Sequence, residues 1–213
     1  LEEAKHADLI IHVVDCSNPE HETQMQVVYQ TLKELGVEGK PIFTLMNKQD
    51  LLSEEEKDQI AEVVGVGAIK YADLSQNRQS PIIFEWDKIL TFEGNTAPYL
   101  QYSYARIQSI LKKAESEGKS ITYDKEIKIE DKLERALANH IAAFPISVLK
   151  ASETFKPNII ADYLFELSKK FNSFYNSCPI LNQEDELLYS RALIAKITGE
   201  TIKDGLSLLG IKT

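Results

Sequence analysis

The chain has 213 residues, 43% of them hydrophobic and 27% charged, with 24 Lys and Arg against 33 Asp and Glu and a formal net charge of -9. This length and apolar fraction exclude a disordered chain and bound the protein to one or two globular domains that bury roughly 70% of the surface the unfolded chain exposes. The acidic balance excludes a protein that coats nucleic acid by charge alone, while leaving room for a local basic face. No apolar run is long enough for a membrane span, and residues 1–20 carry acids where a signal peptide carries a basic stretch, so a soluble protein with no membrane partner is expected. The two cysteines, Cys16 and Cys178, have no neighbour at metal-ligand spacing. Neither a metal site nor a disulfide framework is expected, and a reducing cytoplasm is the natural setting.

The basic groups are unevenly placed. Residues 1–53 hold 4 Lys against 9 acids, and residues 54–213 hold 20 basic groups against 24 acids. In chain order, Asp8–Asp15 and Pro41–Met46 are short β-branched runs that read as buried strands. Between them Met25, Val28, Leu32 and Leu35 recur at helical spacing, followed by Gly36 as a C-cap, so the segment is a β-α-β unit with parallel strands. Ser53–Glu56 has the form of a capping box and predicts a helix to about Val64, interrupted by Gly65 and Gly67. Residues 81–86 read as a short strand or an extended linker. From Ala97 the pattern is helical over 97–116, 130–143, 145–154, 158–176 and 184–208, punctuated by Pro145, Pro157 and Pro179, with a polar connector over 116–130. The expected fold is mainly α: a small truncated β-α-β segment (1–53), a connecting segment (54–96) and a helical bundle (97–213).

Asn47-Lys48-Gln49-Asp50 follows the second strand. An Asp carboxylate there can accept from guanine N1–H and the 2-amino group, with the Asn amide on the base edge and the Lys stem over the ring. The same four residues fit an ordinary strand-end turn. Together with Leu1–Pro19, they resemble the ribosome-associated GTPase family called HflX over residues 1–52. That resemblance implies GTP and a ribosome as alternative ligand and partner, with Asn47, Lys48 and Asp50 as guanine-recognition residues. The phosphate-binding G-x-x-x-x-G-K-[ST] string is absent, and Gly36-Val-Glu-Gly-Lys-Pro41 has the wrong spacing to replace it.

Residues 65–213 carry Phe84-Glu-Trp-Asp87, Phe92-Glu-Gly-Asn-Thr-Ala-Pro-Tyr-Leu-Gln-Tyr-Ser-Tyr-Ala-Arg106, Phe171-Asn-Ser-Phe-Tyr175 and Ser190-Arg-Ala-Leu193. These resemble the C-terminal part of arginyl-tRNA synthetase, a class I synthetase, in which the region is the helical anticodon-binding domain. Tyr99, Tyr102 and Arg106 fall on one face of a helix opening near Pro98. By spacing alone they fit either half-buried core rings with Arg106 in an ion pair or a platform for unstacked bases. The resemblance favours the platform and implies tRNA(Arg) as the partner. Phe171, Phe174 and Tyr175 read as a core stripe. Lys112, Lys113, Lys169, Lys170 and Arg78 read as a solvated face or as phosphate contacts. The four histidines share no face and receive no catalytic or metal role. The H-I-G-H and K-M-S-K signatures with which class I synthetases handle ATP and Mg²⁺ do not occur in these residues. No catalytic residue, no cofactor and no aminoacylation by this chain alone are expected.

Overall fold

The computed structural model describes residues 10–15, 21–37, 42–47, 54–79, 85–92, 94–123, 126–181 and 183–213. The chain forms two compact units, Leu1–Ile60 and Ala61–Thr213. In order, the elements are β1 (Ile10–Asp15), α1 (His21–Glu34), β2 (Ile42–Asn47), α2 (Glu54–Ala61), a π-turn (Glu62–Val66), α3 (Gly67–Leu74), α4 (Trp86–Ile89), α5 (Ala97–Ser116), α6 (Lys132–Ala142), α7 (Phe144–Thr154), α8 (Asn158–Ser177) and α9 (Asp185–Leu208). The protein is mainly helical, with one small β-α-β segment.

In the first unit β1 and β2 pair in parallel, Ile10 opposite Ile42 and Asp15 opposite Asn47, as a helical crossover requires. α1 buries Leu32 and ends where Gly36 turns left-handed at φ 71°. Val37 N–H then reaches the Leu32 carbonyl and Gly36 N–H the Lys33 carbonyl, the paired bonds of a Schellman cap.

The predicted break at Gly65 and Gly67 does not occur. The helical path runs from Glu54 to Leu74, passing through the π-turn, and Gly67 has helical angles, φ -58° and ψ -46°. Gly67 serves close approach: a Cβ there would lie 3.1 Å from Gln101 Nε2 and 3.2 Å from Ile211 Cγ2. Gln101 Nε2 in turn donates to the Val63 carbonyl at 3.1 Å and the Lys212 carbonyl at 2.8 Å, tying the π-turn and the last residues to α5. Of the stretch expected as strand or linker, Trp86 opens the short helix α4, and residues 81–84 lie outside the described residues.

The bundle is built on α5, α8 and α9. Leu100 and Ile107 of α5, Leu164, Leu167, Phe171 and Phe174 of α8, and Ile194, Ile202 and Leu206 of α9 form one buried core. Small residues let these helices approach. A Cβ on Gly199 would lie 2.9 Å from Ile107 Cγ2, and one on Gly205 would lie 2.5 Å from Leu164 Cδ2. α6 starts on a complete capping box: the Asp131 side chain accepts from Leu133 N–H at 2.7 Å, and Glu134 Oε2 accepts from Asp131 N–H at 3.0 Å. The other carboxylate oxygen of Glu134 accepts from Arg191 Nε at 2.7 Å, and Arg191 Nη1 donates to the Pro179 carbonyl at 2.7 Å. This buried pair joins α6, α9 and the turn after α8. The polar connector before α6 is strapped to α9 by Lys196 Nζ on the Ile121 carbonyl (2.9 Å) and Lys128 N–H on Ser190 Oγ (3.0 Å).

Among the described residues no helix is long and apolar enough to cross a membrane. Nor does any group of three or more His, Cys, Asp or Glu among them converge as metal ligands. Cys178 is a free, buried thiol whose pKa burial pushes up. Cys16 lies outside the described residues.

Candidate nucleic-acid interface

α5 begins where Thr96, in extended conformation at φ -133° and ψ 156°, caps the first turn by accepting from Tyr99 N–H at 3.3 Å. The Thr96 hydroxyl also donates to the Thr91 carbonyl at 2.7 Å, holding the preceding loop against the helix start. Ala97, Leu100, Ser103, Ile107 and Ile110 of α5 face the core. That phase leaves Tyr99, Tyr102 and Arg106 half-buried along the adjoining face.

α8 supplies the other side. Its core stripe includes Leu164, Leu167, Phe171 and Phe174, and the flanking stripe Phe165, Lys169, Asn172 and Tyr175 lies partly exposed beside α5. The Arg106 guanidinium carbon is 4.8 Å from the centre of the Tyr102 ring and 5.4 Å from that of Tyr175, so the cation is held between two aromatic rings. Arg106 Nη1 donates to Asn172 Oδ1 at 2.8 Å, and Asn172 Nδ2 donates to the Tyr99 hydroxyl at 2.7 Å. Arg106 Nε is buried and has no hydrogen-bond partner among the described residues. Tyr99 meets Phe165 edge-on at 5.7 Å, and Phe92, 59% exposed, meets Tyr102 edge-on at 6.4 Å. Lys169 pairs with Glu166 at 2.9 Å and lies over Phe165. Burial pushes the Tyr99 phenol pKa up, partly opposed by the Asn172 hydrogen bond and the Arg106 charge.

The three predicted residues of α5 therefore come together, with Arg106 in a ring and amide environment instead of an ion pair. Sequence reasoning missed Asn172 and Phe165, and it counted Tyr175 as core with Phe171 and Phe174. Phe171 and Phe174 are fully buried; Tyr175 is half-buried and faces Arg106. The signal available for Asn172 was a poor helix former in the middle of a helix between aromatic positions. No hydrogen bond or ring contact among the described residues brings Lys112, Lys113 or Arg78 into the cluster. His140 stacks on Tyr163 at 4.5 Å, and His12 meets Tyr29 edge-on at 5.5 Å, both in separate places. Asn47 ends β2, but its side chain, Lys48 and Asp50 lie outside the described residues.

Residues 100–213 match the model of the DALR anticodon binding domain. The chain belongs to that family. Residues 42–86 match the catalytic domain of the class I tRNA synthetases of the arginine type, so the DALR domain here follows a piece of synthetase catalytic domain. Arginine–tRNA ligase of Fusobacterium nucleatum is 68% identical over 164 residues, covering 77% of this chain and 29% of the relative. The ligase of Photobacterium profundum is 48% identical over 162 residues, covering 76% of this chain and 28% of the relative. Among solved structures, Thermus thermophilus arginyl-tRNA synthetase aligns with a TM-score of 0.64 at 26% identity, covering 97% of this chain and 40% of that one. The Plasmodium falciparum enzyme aligns with a TM-score of 0.63 at 28% identity, covering 97% and 41%. The chain thus spans under a third of the length of these curated relatives. These matches give the GTPase resemblance of the N-terminal segment no support, and the synthetase catalytic model begins at residue 42, inside the stretch read as a G domain. A β-α-β unit is common to both kinds of nucleotide-binding fold, so its strand pattern does not tell them apart.

Proposed function

We propose that this chain is the part of an arginyl-tRNA synthetase that binds the anticodon region of tRNA(Arg), with Tyr99, Tyr102 and Arg106 facing the nucleotides. The observation that carries the reading is the Arg106 guanidinium held between the Tyr102 and Tyr175 rings on a face outside the core. Bases splayed from a loop are recognised by stacking on aromatic or guanidinium planes and by hydrogen bonds to their edges, and this face offers both. Each stacked base contributes about 1 to 3 kcal/mol. Family membership and the identity to arginine–tRNA ligases support the choice of tRNA.

In the complete family ATP and Mg²⁺ serve arginine activation in the catalytic domain. This chain matches that domain across residues 42–86 and carries neither ATP-handling signature, so its residues do not fit such a site. A cytoplasmic setting accompanies this reading, supported by the free thiol of Cys178.

Binding of the 213-residue chain to tRNA(Arg) and to a non-cognate tRNA, titrated against salt, tests the proposal. A clear preference for tRNA(Arg), lost in Tyr102→Ala, is expected. Equal affinity for both tRNAs, or an unchanged Tyr102→Ala variant, counts against it.

A further inference from the structure

We infer that Asn172 is the positioning residue of this face: oriented by the Arg106 guanidinium, it commits Tyr99 to act as a hydrogen-bond donor beside Arg106, so that the site selects a nucleobase edge carrying acceptors. The inference rests on the tRNA-binding reading above and goes beyond it to the polarity of the edge that is read.

The argument starts from Arg106. A guanidinium has donors and no acceptor, so the Asn172 atom 2.8 Å from Nη1 must be the carbonyl oxygen Oδ1. The amide nitrogen Nδ2 is then directed at the Tyr99 hydroxyl, 2.7 Å away. Tyr99 Oη accepts that bond, which leaves its own proton turned away from Asn172. No hydrogen bond donated by Tyr99 Oη is present among the described residues. The remaining N–H groups of Arg106 are donors as well, and the Tyr102 and Tyr175 rings hold the guanidinium between them. One amide thus carries the fixed polarity of Arg106, 66 positions away in sequence, to Tyr99, 73 positions away. A base edge offering a carbonyl oxygen beside an unprotonated ring nitrogen meets donors here, whereas an edge with a ring N–H meets like groups and leaves donors unpaired, which is how buried polar sites reject the wrong partner.

The test compares affinities of the full 213-residue chain and its Asn172 variants for tRNA(Arg) and a non-cognate tRNA at several salt concentrations. Asn172→Ala is expected to weaken tRNA(Arg) binding about tenfold, the scale of one lost hydrogen-bond arrangement, while non-cognate affinity and the salt slope stay unchanged. Asn172→Asp keeps the shape but accepts from both Tyr99 and Arg106, and is expected to weaken tRNA(Arg) binding by at least as much. It also keeps the test open should the alanine variant fold poorly. In a double-mutant cycle, Tyr99→Phe and Asn172→Ala together are expected to cost less than the product of their separate effects. The inference is overturned if both Asn172 variants retain the wild-type preference, if both tRNAs weaken equally with a changed salt slope, or if the cycle is strictly multiplicative. A wild-type chain with no preference overturns the proposed function and this inference together, and so is distinguishable from failure at Asn172 alone.

Discussion

Two arginines of the bundle show how the same side chain serves different ends. Arg191 and its partner Glu134 have side chains only 10% and 0% exposed, and the pair is closed by the Pro179 carbonyl and the capping bonds of α6. Arg106 lies half-buried between two rings, tied by one neutral amide and with Nε unpaired among the described residues. A guanidinium paired with a carboxylate has its charge cancelled within the fold, and its loss strands the partner. A guanidinium stacked on rings keeps its charge for something outside. Arg191 therefore belongs to stability, and under the proposed function Arg106 belongs to binding.

The largest expected effect is Arg191→Ala, which leaves Glu134 buried and unpaired. Denaturant unfolding is expected to show a loss of about 3 to 5 kcal/mol. A loss below about 1 kcal/mol would mean that the pair is not the structural tie described here. Arg106→Ala is expected to do the reverse: tRNA(Arg) affinity falls roughly tenfold to a hundredfold, about 1.4 to 2.8 kcal/mol, while unfolding stability changes by less than about 1 kcal/mol. A variant that binds normally but unfolds early would erase the distinction between the two arginines.

The contrast also has a pH signature. Burial pushes the Glu134 carboxyl up, but hydrogen bonds from the Asp131 and Glu130 N–H groups and from Arg191 outweigh it, so its pKa lies below the ordinary value. Because the folded-state pKa is the lower one, this contribution is complete above the unfolded-state value of about 4.3 and is lost as pH falls through the folded-state value. Unfolding midpoints of the wild type are expected to drop more steeply between neutral pH and about pH 3.5 than those of Glu134→Gln, which has no such carboxylate to protonate. Parallel pH profiles would remove the pair from the acid response.

The smallest effect concerns a residue in neither cluster. Phe155 ends α7 in the left-handed region at φ 55° and is 73% exposed, so its ring gains little from burial while its backbone is strained. Phe155→Gly is expected to raise stability by about 0.5 to 1 kcal/mol, the left-handed penalty reduced by glycine's greater freedom when unfolded. A loss of stability would show that the ring packs more than its exposure implies.

The helices of the bundle were legible because their signals are local. Pro98 near the start of α5 and Pro145 in the first turn of α7 mark their starts, and the predicted ranges of α5, α8 and α9 agree with the structure within one residue at either end. The parallel β-α-β segment was legible from two apolar runs and a C-capping glycine for the same reason. Gly67 was misread because a glycine's effect depends on what stands opposite it, and Gln101 and Ile211 are distant in sequence.

The sequence by itself determined a mainly helical protein, the order and extent of its principal helices, and the grouping of Tyr99, Tyr102 and Arg106 on one face, since helical period and capping act over a few residues. Only the tertiary structure decided that α8 lies beside that face, that Tyr175 leaves the core stripe to meet Arg106, and that the Asn172 amide bridges Arg106 and Tyr99. Those contacts join residues more than sixty positions apart, and the packing of α5, α8 and α9 around the shared core is what brings them together.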